Sequence, residues 1–161
     1  MAAIGERVGP FKLTGRLESE GGLELWDAVR ADDTLKDPRQ VWVRLVTSDD
    51  PAHALRLRHE YEALRVVEDP RVPSVVGFFA GHGALAITRY EGVSLRWAMR
   101  AAEDGLLTIE PATALDIALE VAHALRAGHS ILSARPRIVH GALTPDSVRI
   151  GPGGILGVTG L

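Results

Sequence analysis

Three short runs near the N-terminus, FKLTGRL from Phe11, LELWDAVR from Leu23 and VWVRLV from Val41, constrain the fold more than any other part of the chain. In LELWDAV and VWVRLV apolar and polar side chains alternate, and a period of two places one set on each face of a half-buried strand. The joins ESEGG and ADDTLKDPRQ are dense in Gly, Asp and Pro, so they read as loops and the three runs as a meander. A helix follows. Asp50 supplies a side-chain cap, Pro51 fits the first helical position where a missing N–H costs nothing, and the helix is expected to reach about Glu68, before Asp69-Pro70. Leu57, Tyr61 and Leu64 fall on one face with Glu60 beside them. A carboxylate on an apolar stripe requires a cation or water.

The rest of the chain continues the alternation of element types. SVVGFFAGHGALAITRY reads as a hairpin turning near Gly81-His82-Gly83, and EGVSLRWAMRAAEDG as a short helix capped by Ser94 and closed near Gly105. A longer helix is expected from about Ile109 to Ile131, with Thr108 as its cap and Pro111 in its first turn. VRIGPGGILGV reads as two short strands around a Gly-Pro-Gly-Gly turn. With no internal repeat and no low-complexity linker, these elements form one structural unit of α+β class.

Composition narrows the function. The 161 residues are 46% apolar, enough for a real core, and the formal net charge of -3 gives no clustered basic face for nucleic acid. Cysteine is absent, which removes disulfides and thiolate metal sites and makes a reducing compartment the default. The uncharged run from Val72 to Thr88 is broken by Pro73 and three glycines, and MAAIGERVGP lacks the apolar core of a signal peptide. A soluble cytoplasmic module without a membrane span is expected.

The order of elements, with the motifs inside them, resembles the protein-kinase fold from its start to its metal-binding motif. VWVRLV resembles the third-strand Val-Ala-Val-Lys motif, which puts Trp42 at the small adenine-contacting position and Arg44 at the phosphate-gripping lysine. RHEYEALRVVEDP resembles the helix whose glutamate pairs with that lysine, and counting back from Asp69-Pro70 selects Glu60 over Glu62. In LAITRYEGVSL, Ile87 takes the gatekeeper position and Thr88, Arg89 and Tyr90 the hinge. VHGALTPDSV is similar to the catalytic loop: His140 is kept, Gly141 replaces the arginine, Ala142 the catalytic aspartate, Thr144 the lysine and Ser147 the metal-binding asparagine. GVTGL resembles Asp-Phe-Gly, with Val158 for the aspartate, Thr159 for the phenylalanine and Gly160 retained. Glu18, Glu20 and Leu23 stand where the family has its three glycines, although Gly21 and Gly22 allow a register shifted by one.

The resemblance implies an N-lobe over residues 1–90, a five-stranded antiparallel sheet plus one helix, and over residues 91–161 the first helices and catalytic-loop hairpin of a C-lobe whose remainder is absent. Its departures point away from phosphoryl transfer, which depends on positioning and charge neutralisation. Ala142 has no lone pair to orient a hydroxyl, and Val158 cannot ligate magnesium, a hard cation that takes oxygen. Ser147 alone is a poor metal ligand. Glu18 and Glu20 would place negative charge beside a polyanion, and Trp42 would fill the adenine plane with indole, so neither ATP nor another cofactor is expected. Arg44 and Glu60 retain the option of an ion pair, the alternative being that Arg44 points to solvent. His140 reads as a brace for loop backbone, since no Ser or Cys completes a triad around it. His123 and His129 lack a third ligand at metal spacing, Asp146 reads as a turn residue, and Glu103 and Asp104 read as a solvated helix end.

The long helix is apolar nearly all round, with Leu115, Leu119 and Ala122 on one side and Ile117, Val121, Ala124 and Leu125 toward others. Such a helix is normally buried. Three covers satisfy it equally: a second copy, another protein, or further polypeptide of the same chain. The reading that results is a catalytically inactive, pseudokinase-like scaffold that binds a protein partner or forms a homodimer through Leu115, Leu119, Val121, Ala122 and Leu125. The alternative is a nucleotide-binding regulatory domain or weak Ser/Thr kinase.

Overall fold

Alternation in the first half of the chain is realised as an antiparallel sheet. Its strands are β1 (Arg7–Val8), β2 (Phe11–Glu20), β3 (Leu23–Arg30), β4 (Gln40–Val46), β5 (Val75–Phe79) and β6 (Ala84–Thr88), in the order β1-β2-β3-β4-β6-β5. The computed structural model describes residues 2–20, 22–31, 38–131 and 138–160. Most of the predicted loop ADDTLKDPRQ and Gly21 lie outside these residues. In place of the one structural unit expected from the sequence, two compact units result, one of Met1–Arg65 with Ser74–Arg89 and one of Val66–Pro73 with Tyr90–Leu161.

Six strands replace the expected five. The additional β1 is two residues long, too short to leave an alternating signal, and it pairs with β2 through a turn in which Gly9 has φ 57°. A side chain there would be strained by the backbone and would meet the Phe79 ring, 2.3 Å from the nearest ring carbon. The bare turn therefore lets Val8 and Phe11 join one core with Leu13, Trp26, Val41 and Val43. Phe79 packs edge-on against Phe11. Because side chains alternate along β4, Trp42 and Arg44 face away from the neighbours Val41 and Val43. Register places Trp42 between Asp27 of β3 and Ile87 of β6, and Arg44 between Leu25 and Leu85.

Helix α1 (Pro51–Leu64) begins as expected, with the Asp50 carboxylate accepting from Ala52 N–H at 2.9 Å. It ends at Leu64 rather than near Glu68. The reason is tertiary: Val67 and Val72 are buried within the segment Val66–Pro73, which belongs to the other unit. There Asp69 turns the chain by accepting from Arg71 N–H at 2.9 Å, and the Tyr90 hydroxyl donates to the Pro70 carbonyl at 2.6 Å.

The second unit contains β7 (Val93–Ser94), α2 (Leu95–Glu103), α3 (Pro111–His129), β8 (Val148–Ile150) and β9 (Leu156–Val158), its small sheet ordered β7-β8-β9. Ser94 caps α2 as expected, accepting from Trp97 N–H at 3.2 Å. For α3 the expected cap Thr108 is displaced by Glu110, which makes no side-chain cap bond, since Pro111 takes the first helical position. Only Ala124 and Gly128 of α3 are buried, while Leu115 and Leu119 are 73% and 52% exposed. Among the described residues no helix is long and apolar enough to cross a membrane.

Candidate functional site

In the first unit, β4 and α1 bring together the two charged groups singled out from the sequence. Arg44 Nε lies 3.2 Å from Glu60 Oε1, with the arginine 17% and the glutamate 6% exposed. Arg44 thus faces the helix and not solvent. The contact is Coulombic, because neither atom is aligned for a hydrogen bond. Burial pushes the Glu60 carboxyl above its ordinary value, against the opposing pull of Arg44 and then of Arg56.

On the same strand Trp42 is 2% exposed, and its indole Nε1–H donates to Asp27 Oδ1 at 3.0 Å. Arg89 closes the group, its Nε 3.2 Å from the same Asp27 oxygen and its guanidinium donating to the Gln40 side chain. Ile87 beside Trp42 is fully buried. Neither Asp27 nor Gln40 was singled out from the sequence. A polar residue two positions after Leu25 on a half-buried strand was the available signal. Its partner depends on a register that the sequence leaves unstated. Glu18 is half-buried in β2, Leu23 is buried at the start of β3, and Glu20 contributes backbone to β2. The turn between these strands rests on the start of α1: Gly22 has φ 75°, and a Cβ there would lie 2.5 Å from His53 Nδ1.

In the second unit, the loop leading into β8 and the end of β9 are fastened together. His140 Nε2 lies 2.7 Å from the Thr159 carbonyl, and the Ser147 carbonyl accepts from Thr159 N–H at 2.8 Å and from its hydroxyl at 3.3 Å. Thr144 and Ser147 contact each other through their hydroxyls at 3.3 Å. Ala142 is exposed, and Val158 is fully buried. Asp146 pairs with Arg96 of α2, a role beyond the turn function expected of it. His123 lies 3.7 Å from Glu120, and Glu120 accepts from Arg71 Nε at 2.5 Å. That hydrogen bond, more than the accompanying charges, holds the Glu120 carboxyl below its ordinary value.

An apolar groove of about 540 Å³ also lies within this unit, between α2, α3 and the loop before β8. Leu95, Met99, Ile117, Val121 and Leu143 are among its walls. Of the five residues assigned to an interaction face, Val121 lines this groove, Leu115, Leu119 and Ala122 are exposed, and Leu125 is half-buried.

Comparison with solved structures places this architecture. The apo form of PpkA matches with a TM-score of 0.78 at 14% identity, covering 98% of this chain and 60% of that one. The kinase domain of PknI from Mycobacterium tuberculosis matches at 0.74 with 18% identity, covering 99% and 61%. The chain has a protein-kinase-like fold. A double-mutant form of the PknI domain matches this kinase-like chain at 0.73 and 19% identity. The kinase-like chain spans about 60% of the length of the first two of these structures. No protein-family model matches it, and no curated protein does. The α+β reading and the likeness to an N-lobe with part of a C-lobe stand, with the sheet corrected from five strands to six.

Proposed function

We propose that this kinase-like chain is catalytically silent, a pseudokinase, and acts as a protein-interaction or scaffolding module. The observation that carries the reading is Val158, a fully buried aliphatic side chain where the resemblance calls for a magnesium-binding aspartate. Ala142 supports it by offering a methyl group where a carboxylate would orient the nucleophile. Trp42 supports it further: at 2% exposure, tied to Asp27 and through it to Arg89, the indole occupies its own site on the sheet. Binding of a protein partner or a second copy through α3 belongs to the same proposal. Exposure of Leu115 and Leu119 beside an apolar groove motivates it. A cytoplasmic setting accords with the absence of cysteine.

A specific observation favours the second reading, a nucleotide-binding regulatory domain or weak Ser/Thr kinase. Arg44 and Glu60 remain paired, the contact that the resemblance assigns to a lysine and glutamate serving the phosphates of a nucleotide. Thermal denaturation with and without ATP and magnesium separates the two readings. A ligand of the native state raises the melting temperature with concentration, by about 2.7 kcal/mol of added stability at a hundredfold excess over Kd. The silent reading expects no shift at millimolar ATP and no phosphate incorporation from labelled ATP. A saturable rise, or incorporated label, overturns it.

A further inference from the structure

One wall of the apolar groove in the second unit is a stripe of α3, where Ala114, Ile117, Ala118 and Val121 recur at the spacing of a single helical face over two turns. Leu95 and Met99, one turn apart on α2, make another, and Leu143 adds to it from the loop before β8. Ala114 and Ala118 are exposed, and Met99 and Leu143 are each 43% exposed, so this apolar surface faces solvent. Among the described residues of the lining, Thr144 alone has a polar side chain, and its hydroxyl already meets Ser147 at 3.3 Å. A compact ligand needs several converging polar groups to orient it, whereas a helix satisfies its own backbone and asks only for apolar contact. The small side chains of Ala114 and Ala118 let such a backbone come close.

Charge is distributed unevenly around the groove. Glu103 stands one turn beyond Met99 on α2, and Glu110 one turn before Ala114 at the start of α3. Both are exposed, and they mark the end of the groove where α2 gives way to α3, next to Ile109 of the lining. Asp104 follows Glu103 and Asp116 precedes Ile117; both are exposed, and among the described residues none of these four carboxylates has an ion pair or a side-chain hydrogen bond. Arg100, exposed beside Met99, offsets one of them. Arg96, by contrast, is already matched by Asp146, next to Pro145 of the lining. We propose that the groove receives an amphipathic helix of a protein partner, its aliphatic side chains against Ile117 and Val121 and its basic residues over Glu103 and Glu110. The proposal rests on the interaction-module reading above and gives that partner its chemistry: the apolar stripe supplies affinity, and the acidic end sets direction.

Two labelled peptides of about 16 residues, long enough to approach helicity alone, test it by fluorescence anisotropy on the whole chain. They share one leucine stripe at helical spacing and differ in their flanks, lysine in one and glutamate in the other. The lysine peptide is expected to bind saturably and about tenfold more tightly than its twin, a preference that fades near about 1 M salt, where charges are screened beyond about 3 Å. Glu103→Gln combined with Glu110→Gln should lower that preference. Ala118→Trp, which fills the groove from an exposed position, should remove binding of the lysine peptide. Equal binding of the two peptides, binding of neither, or undiminished binding to Ala118→Trp overturns the proposal. Should Ala118→Trp fail to fold, the double glutamine variant decides: a lowered preference supports the proposal and an unchanged one overturns it. Wild-type self-association that Ala118→Trp abolishes would identify a second copy as the occupant, and binding of decanoate with neither peptide bound would identify a small apolar ligand; either result also overturns it. Leu119 is not part of the lining, so these outcomes leave the tests of ATP binding and of assembly through Leu119 intact.

Discussion

At Tyr90 two effects act in one direction. Burial first, and then the Asp69 carboxylate, push its phenol from the usual 10.0 to about 12, while its hydroxyl donates to the Pro70 carbonyl. The un-ionised form is therefore favoured in the folded chain. Its stabilising contribution is complete below pH 10 and is lost as pH climbs toward about 12. Absorbance of phenolate at 295 nm, taken as the difference between wild type and Tyr90→Phe, is expected to show a midpoint near 12 while the circular dichroism remains native. A midpoint near 10 in folded protein would show that the phenol is not held this way. At this scale the sequence was informative about chemical groups and silent about their partners. Arg44 and Glu60 were paired by their place in a motif, and they meet at 3.2 Å. The partnership of Trp42 with Asp27, and of Asp27 with Arg89, follows from a strand register, which alternation alone does not set.

Among the elements, α1 and α3 show what local signals carry. Asp50 and Pro51 marked the start of α1, and the cap bond is present at 2.9 Å. Replacing Asp50 with Ala is expected to cost about 1 kcal/mol of stability, read as a lower midpoint in urea. An unchanged midpoint would mean that Ser48, whose hydroxyl already accepts from Asp50 N–H, holds the turn by itself. The end of α1 was misplaced because no local stop signal competes with burial of Val67 and Val72 in the other unit. For α3 the apolar character on nearly every face was legible, but only Ala124 and Gly128 are buried, and its exposed side is the region proposed for assembly. If α3 mediates self-association, light scattering should show a concentration-dependent increase in mass for the wild type, abolished by Leu119→Glu. A wild type that stays monomeric at high concentration excludes the dimer version. At 52% exposure Leu119 tolerates a charge without damage to the core, so loss of assembly would not reflect unfolding.

Across the whole molecule, apolar burial is uneven. The first unit holds Phe11, Leu13, Trp26, Val41 and Val43 in one core, whereas the second leaves Trp97, Met99, Leu106, Leu115 and Leu119 exposed. It should therefore unfold first. Two probes separate the units in a Trp97→Phe variant, because the remaining Trp26 and Trp42 are buried in the first, while α2 and α3 supply 9 and 19 helical residues against 14 in α1. In urea, loss of circular dichroism at 222 nm is expected to precede the change in tryptophan fluorescence. Coincident transitions would indicate that the two units unfold together. The sequence by itself determined which groups the chain has to work with: alternating strands, a capped helix, and aliphatic residues where the resemblance expects carboxylates. Those properties reside in single residues or in neighbours a few positions apart, where covalent geometry fixes the outcome. Tertiary structure decided the rest: the short strands β1 and β7, the membership of Val66–Pro73 in the second unit, and the bond between Arg71 and Glu120, 49 positions apart. Each of these requires segments remote along the chain to be packed together before the contact exists, and no local pattern encodes which remote segment will arrive.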